Sequence, residues 1–326
     1  MVKRVLGRSG VEVSAMGLGC WAIGGPFYRD GKPVGWGQVD DNESIRAIHR
    51  ALELGITFFD TADVYGCGHS ERILGQALAG RRDRVVIATK FGNVFDEETR
   101  QITGADASPD YIRRACEASL RRLQTDYIDL YQLHLGNYDL EKAPEVREAL
   151  EQLVAEGKIR YYGWSTDDPQ RARVFAEGEH CVAIQQRLNI FEGNLETLRV
   201  CETHQLASVN RGPLGMGLLT GKFTPQSTLP EDDVRRTRGW DFTQGEAAER
   251  LRMLERLRGV LTRDGRTLAQ AALGWLWARS QVTIPIPGFK TVQQVEENAG
   301  AMRFGPLSAE QMREVDELLG RSPSAA

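Results

Sequence analysis

The chain has 326 residues, 41% of them hydrophobic and 26% charged, with a formal net charge of −4. That length admits one large α/β unit or two smaller domains, and the apolar share suffices for a sizeable core. The charge excludes a nucleic-acid surface: the densest basic run, Arg235-Arg236-Thr237-Arg238, follows Glu231-Asp232-Asp233 and is locally balanced.

The N-terminus, Met1-Val2-Lys3-Arg4-Val5-Leu6-Gly7, has no apolar signal region, and no long apolar run follows it. Both observations predict a cytoplasmic protein without a membrane partner. Residues 2–13 read as a hairpin turning at Gly7 and Ser9-Gly10. Apolar, β-branched runs then predict strands over 15–20, 57–61, 85–90, 127–133, 161–165, 182–186, 207–210 and 282–287. Helix signals lie between them. Asp41 caps a helix that stops at Gly55, and Ser108-Pro109 opens another. Pro144 precedes a helix ending at Gly157, and Thr267 begins one that runs through Arg279. Eight strands separated by helices imply parallel pairing through right-handed crossovers. The predicted fold is therefore α/β, a (β/α)8 TIM barrel forming a single domain over 1–326, its bottom closed by the N-terminal hairpin. A doubly wound sheet is the alternative, but no Gly-x-Gly-x-x-Gly follows an early strand. Two long connections, 21–40 and 220–244, follow strand C-termini and would lie on the catalytic face. Their Trp36 and Trp240 argue against disordered insertions.

Three of these strands end in ionisable groups. Phe58-Phe59 runs into Asp60, with Tyr65 on the turn beyond; 85–89 meets Lys90; 127–133 meets His134. Strand interiors otherwise exclude such groups. A phenol is a poor base at neutral pH but a usable acid, and a nearby ammonium would lower its pKa towards the working range. Asp60 can hold a buried Lys90 charged, and His134 can orient a substrate oxygen. Any one of the four alone fits a buried ion pair, an incidental tyrosine or a core histidine. Together they fit proton donation to a carbonyl oxygen that is becoming an alkoxide.

The ordered set of landmarks spans nearly the whole chain. It comprises Asp60-Thr61-Ala62-Asp63-Val64-Tyr65-Gly66, Ala88-Thr89-Lys90-Phe91-Gly92, Gln132-Leu133-His134 and Gly163-Trp164-Ser165. Further on come Gly212-Pro213-Leu214-Gly215-Met216-Gly217-Leu218-Leu219-Thr220-Gly221-Lys222 and Ile286-Pro287-Gly288, followed by Glu297-Asn298-Ala299-Gly300. In these the chain resembles the aldo-keto reductase superfamily, in particular its microbial (β/α)8 members related to potassium-channel β-subunits. The resemblance implies reduction of aldehydes or ketones by hydride transfer from NADPH, NADH being the lesser cofactor, with Asp60, Tyr65, Lys90 and His134 catalytic and Tyr65 the general acid. It implies that Ser165 and Gln185 hold the nicotinamide carboxamide. Arg211 would stack on the ring, and Gly212, Leu214, Gly217, Leu218 and Lys222 would receive the pyrophosphate, glycines allowing close approach. Gly288, Phe289, Lys290, Thr291, Gln294, Glu297 and Asn298 would grip the adenosine and its 2′-phosphate, although by composition alone they fit an ordinary surface helix start.

Three positions depart from the family pattern: Thr166 stands where many members carry Asn, Gln294 where NADP-strict members often carry Arg, and Arg211 where many carry an aromatic ring. A stacked Arg211 would repel the oxidised, cationic nicotinamide and favour NADPH over NADP+; alternatively it pairs with a carboxylate such as Glu192 and faces away. Trp21, Tyr28, Trp36, Trp164, Phe191 and Trp240 are candidate pocket walls, Trp21 and Trp164 foremost because each adjoins a strand end. The five cysteines, at 20, 67, 116, 181 and 201, are scattered and fit a reducing compartment. Cys67 reads as a redox switch or, more simply, as a small loop residue. No histidine has metal-ligand spacing, so no metal is assigned. The competing functions are an NAD(P)+-linked sugar or polyol dehydrogenase and a low-turnover cofactor-sensing subunit. The partner expected in the leading reading is a small-molecule carbonyl substrate.

Overall fold

The computed structural model describes residues 3–321; the ends of the predicted hairpin (Val2) and of the 1–326 unit lie outside them. Eight parallel strands follow one another in sequence order: β1 Leu18–Gly19, β2 Phe58–Asp60, β3 Val86–Phe91, β4 Ile128–Leu133, β5 Ile159–Ser165, β6 Cys181–Arg187, β7 Ala207–Arg211 and β8 Thr283–Pro285. The sheet closes on itself. Gly19 bridges Gly288 in parallel, and the amides of Gly17 and Gly19 donate to the carbonyls of Pro285 (2.9 Å) and Pro287 (3.0 Å). This is the (β/α)8 barrel that the alternating pattern predicts. Its strands match the eight predicted runs, each shifted by three residues or fewer at either end.

The outer helices are α1 Asp41–Glu53, α2 His69–Ala77, α3 Pro109–Leu123, α4 Ala143–Ala155, α5 Pro169–Ala176, α6 Leu195–Thr203, α7 Leu268–Arg279 and α8 Val292–Phe304. Their starts follow local chemistry. Ser108 accepts from the Tyr111 amide ahead of α3, and Thr267 forms a reciprocal capping box with Gln270 ahead of α7. Two boundaries differ from the sequence reading. The cap of α1 is Asp40, whose carboxylate accepts from the amides of Asn42 and Glu43; Asp41 is already helical. Pro144 sits inside the first turn of α4 rather than before it, where its missing N–H costs nothing.

Alternation along the strands sorts the core into two layers. Phe58, Val86, Ala88, Leu130, Ala207, Val209, Ile284 and Ile286 fill the barrel interior together with Leu6 and Val13 of the N-terminal hairpin, whose strands are Lys3–Val5 and Glu12–Ser14. Leu6 is fully buried there, and Arg8 pins the hairpin by donating to the carbonyls of Cys181 and Ala176, both at 2.9 Å. The hairpin therefore plugs the N-terminal end of the barrel. Phe59, Ile87, Phe91 and Tyr131 point the other way, into the layer shared with the helices.

The first long connection is ordered, as Trp36 suggests. Tyr28–Arg29 and Lys32–Pro33 pair as a hairpin, and Tyr28–Arg29 also pairs with Gln101–Ala105 of a second hairpin, Asn93–Asp96 with Gln101–Ala105, inserted after β3. That second hairpin is absent from the sequence reading. Its strands are short and mix polar with apolar residues, and its partner lies some seventy residues away in the chain, so no local run reveals it. The other long connection holds Val234–Thr237 as a short helix and sets Trp240 edge-on to Phe223 and Phe242. Trp36 bridges Asp233, which ties the two connections together above the strand ends.

Candidate active site

Period two places Asp60, Lys90, Gln132 and Gln185 on inward faces, directly above the apolar interior layer. Ala88 pairs with Asp60 in register, and Gln132 with Lys90. The Lys90 ammonium, wholly buried, donates to Asp60 Oδ1 at 2.6 Å, to the Thr61 carbonyl at 2.7 Å and to the Tyr65 hydroxyl at 3.3 Å. The second carboxylate oxygen of Asp60 accepts from Gln185 Nε2 at 2.7 Å and from Gln132 Nε2 at 3.1 Å. Every oxygen of this buried carboxylate thus meets a donor, the condition for keeping it charged out of water.

The turn after β2 delivers Tyr65. Gly66 adopts φ +62°, and a Cβ there would stand 1.9 Å from the Gly24 carbonyl oxygen. Only glycine lets the segment after β1 pack this closely against the Tyr65 backbone. The Tyr65 ring meets His134 edge-on, centroids 5.7 Å apart, and lies near-parallel to Trp21 at 6.2 Å.

Electrostatics follow from burial. Desolvation would lower the Lys90 pKa, but the charge and hydrogen bond of Asp60, joined by Tyr65, raise it, so the ammonium persists. Burial raises the Tyr65 phenol, and Lys90 only partly offsets this. The sequence reading expected the ammonium to dominate and lower that pKa; in the folded protein desolvation wins, and the phenol keeps its proton. Burial, reinforced by Lys90, Arg211 and Arg29, holds His134 well below the ordinary imidazole value, so its ring is neutral.

Asp60, Tyr65 and His134 line a cavity of about 1320 Å³, larger than the roughly 300–1,000 Å³ of common small-molecule sites; Lys90 is buried behind them. Ser165, Gln185, Arg211, Gly212, Leu214 and Gly217 line it on one side. Lys222, Gly288, Phe289, Lys290, Gln294, Glu297 and Asn298 line its far end. Leu218 and Thr291 are not among the residues that line the cavity: the Leu218 side chain is buried in the core, and Thr291 caps α8 by accepting from the Gln294 amide at 3.3 Å. Gln294 in turn accepts from the Lys290 amide, and Lys290 Nζ is tied to the carbonyls of Trp36 (2.5 Å) and Gln38 (3.1 Å). Thr166 donates to the Gly136 carbonyl at 2.8 Å, which commits its hydroxyl to the loop.

Of the aromatic wall candidates, Trp21 and Trp36 line the cavity, their rings 5.2 Å apart and edge-to-face. Trp164 does not. It is fully buried against Phe175 of α5 and donates to the Leu135 carbonyl at 3.0 Å, because its strand alternation turns it outward to the helix layer. Tyr28 is taken up in the small sheet and Trp240 in the cluster with Phe223 and Phe242. Phe191 packs against the helix-layer core. Arg211 lines the cavity, but its carboxylate is Asp167 (2.5 Å), not Glu192. That partner offsets the charge on which discrimination between reduced and oxidised nicotinamide would rest. Cys67 is buried and its thiol is pushed up to about 12 by desolvation, against a reactive thiolate. The sequence reading missed Gln132; its signal was an amide on the inward face of a buried strand, two residues before His134. It also passed over Arg187 and Arg238, which line the same cavity.

A family model described as the Aldo/keto reductase family matches residues 15–320. The chain is 33% identical over 314 residues to the uncharacterized oxidoreductase YqkF of Bacillus subtilis (strain 168), covering 96% of this chain and 95% of that protein. The glycerol dehydrogenase AKR11B4 from Gluconobacter oxydans superposes with a TM-score of 0.83 at 32% identity, covering 99% of this chain and 98% of that one. An aldo-keto reductase from Klebsiella pneumoniae in complex with NADPH gives 0.72 at 30% identity, with coverage of 100% and 98%. The chain therefore belongs to the aldo/keto reductase family, and its chemistry is the oxidoreduction of carbonyl compounds.

Proposed function

We propose that this protein reduces aldehydes and ketones to alcohols with NADPH, Tyr65 acting as the general acid. The observation that carries the reading is the Tyr65 hydroxyl, which lines the cavity within hydrogen-bond reach of the buried, charged Lys90, with burial keeping the phenol protonated. A phenol that holds its proton in the resting site is set to give it up when a carbonyl oxygen beside it gains negative charge.

The cavity's residues suit a dinucleotide phosphate. Backbone of the Gly212–Gly217 turn lies open along one wall, and Lys222, Arg235 and Lys290 gather at the far end to meet phosphates. The similar Klebsiella pneumoniae enzyme in complex with NADPH supports the same choice. When bound, the cofactor supplies the hydride. The chain's own residues do the rest. Tyr65 donates a proton to the substrate oxygen; Lys90 stabilises the phenolate that remains; Asp60 keeps Lys90 charged, itself held by Gln132 and Gln185. Neutral His134 gives a ring N–H to the same substrate oxygen and fixes its direction. Trp21 and Trp36 shed water from the approach.

The similarity to a glycerol dehydrogenase favours one second reading, oxidation of a polyol by the same residues in reverse. That direction uses Tyr65 as phenolate base, so with its pKa raised by burial the oxidation should gain rate towards high pH. The test is NADPH oxidation with 4-nitrobenzaldehyde in wild type and Tyr65→Phe, with NADPH binding followed by fluorescence. The expected result is turnover that collapses in the variant while binding persists. Equal turnover in both proteins would remove Tyr65 from the mechanism.

A further inference from the structure

The cavity holds two separate groups of cations. At the far end, Arg235 is paired with Asp233 at 2.6 Å, Lys290 is tied to the Trp36 and Gln38 carbonyls, and Lys222 lies beside them. The second group stands over Tyr65. Arg187 and Arg211 end β6 and β7, are direct register partners, and both line the cavity. Arg238 reaches the same mouth from the long connection after β7, its guanidinium 5.9 Å from the centre of the Trp21 ring. Among the described residues Arg238 forms no ion pair. Arg29, on the small sheet, lines the cavity too and is met by a neutral amide, Asn93, at 2.8 Å.

Like charges directly opposite on neighbouring strands repel, and the local carboxylates do not balance these four. Asp167 takes the Arg211 guanidinium at 2.5 Å and spends its other oxygen on the Arg187 backbone amide at 2.6 Å. Glu192 reaches Arg187 only at 3.6 Å and is shared with Arg250 at 3.4 Å, although Arg250 has its own partner in Glu246 at 2.5 Å. Arg235 and Arg238 sit on one turn but over different rings, Arg235 over Trp36 and Arg238 over Trp21. A surplus of guanidinium beside the proton donor, distinct from the cations at the cofactor's phosphate end, is a receptor for a second anion.

We propose that this mouth selects carbonyl substrates that carry an anionic group, carboxylate or phosphate, with Arg238 and Arg187 receiving the anion and Arg211 flanking it while the carbonyl faces Tyr65. The proposal rests on the carbonyl-reductase reading above and names its substrate class. Guanidinium forks bind either oxyanion bidentately, and a mouth whose four guanidiniums outnumber Asp30, Asp167 and Glu192 carries a net positive charge that speeds encounter in a salt-dependent way.

The test compares charged and uncharged analogues with NADPH: 4-carboxybenzaldehyde against methyl 4-formylbenzoate, and glyceraldehyde 3-phosphate against glyceraldehyde. The expected result is a kcat/KM preference of about tenfold or more for the anionic member of at least one pair, shrinking as salt rises. The pair that shows it identifies carboxylate or phosphate as the anion. In Arg238→Gln that ratio should fall by about tenfold, and Arg238→Lys should restore part of it. Ratios near one in both pairs, insensitive to salt, would overturn the proposal while leaving the reductase reading standing. Calorimetric titration with benzoate and benzamide, in the absence of NADPH, decides the matter even where no aldehyde is turned over. Tighter benzoate binding that Arg238→Gln abolishes supports the anion site, and equal affinities overturn it. Loss of turnover with all four aldehydes alongside intact benzoate selectivity would instead count against the reductase reading.

Discussion

Replacing Lys90 by Met removes one half of a fully desolvated ion pair and leaves the other half in place. Asp60, 2% exposed, would keep the amides of Gln132 and Gln185 but lose the ammonium at 2.6 Å. Stranding a buried charge in this way costs about 3–5 kcal/mol, a large share of the roughly 5–15 kcal/mol that holds a domain folded. Asp60→Asn should cost a comparable amount, because it leaves Lys90 charged and unpaired. The double substitution removes both charges, and apolar or neutral replacement of a whole buried pair is close to neutral. Its cost should therefore fall short of the sum of the singles by about 2 kcal/mol or more. Urea unfolding of the four proteins at pH 7 measures this coupling. All three variants should lack turnover, so the cycle separates stability from chemistry.

The pH dependence adds a sign. In wild type the pair raises the Lys90 pKa, so its contribution is fully present below the unfolded value of about 10.4 and is lost only as pH rises through the folded pKa. In Asp60→Asn only the Tyr65 hydroxyl and the Thr61 carbonyl still favour the ammonium, and burial depresses the folded pKa. The unfolded state then binds more protons below pH ~10, and stability should rise with pH by up to about 1.4 kcal/mol per unit. Costs that add to within about 0.5 kcal/mol, or a flat pH profile in Asp60→Asn, would refute the reasoning.

Three further outcomes follow from the same geometry. Trp164→Ala should lower stability by about 3–5 kcal/mol through the cavity left against Phe175, yet move KM less than about threefold, whereas Trp21→Ala should raise KM markedly; steady-state kinetics beside thermal melts tell them apart. Gly66→Ala, strained at φ +62° and driven into the Gly24 carbonyl, should displace Tyr65 and cut kcat by about a hundredfold, which a crystal structure of the variant would trace to the turn. His134, depressed by burial and by Lys90, should show no imidazole titration by NMR around the ordinary value of about 6.5; because its folded pKa lies below the unfolded value, stability should decline as pH falls below about 6.5, and a ring titrating near 6.5 would contradict this.

What the sequence by itself determined is whatever depends on neighbours along the chain. Alternating apolar runs of strand length located eight strands, helix caps such as Ser108 and Thr267 located helix starts, and period two put Asp60 and Lys90 at inward strand ends above Val86 and Ala88. Parallel succession brings those ends together, so the four residues proposed for catalysis can be named from the chain alone. Only the tertiary structure decided the rest, because it depends on distance and burial summed over the whole molecule. Trp21 and Trp164 both adjoin strand ends, but one looks into the cavity and the other into helix α5. The sign of the Tyr65 pKa shift is a balance between desolvation and Lys90, and no motif carries that balance. Nor does a motif show that Gln132 and Gln185, fifty-three positions apart, converge on one carboxylate oxygen, or that Arg187 and Arg211 face each other in register. Local pattern sets which element each residue belongs to and which face it occupies; the packing of remote elements sets what it meets there, and the chemistry follows from that meeting.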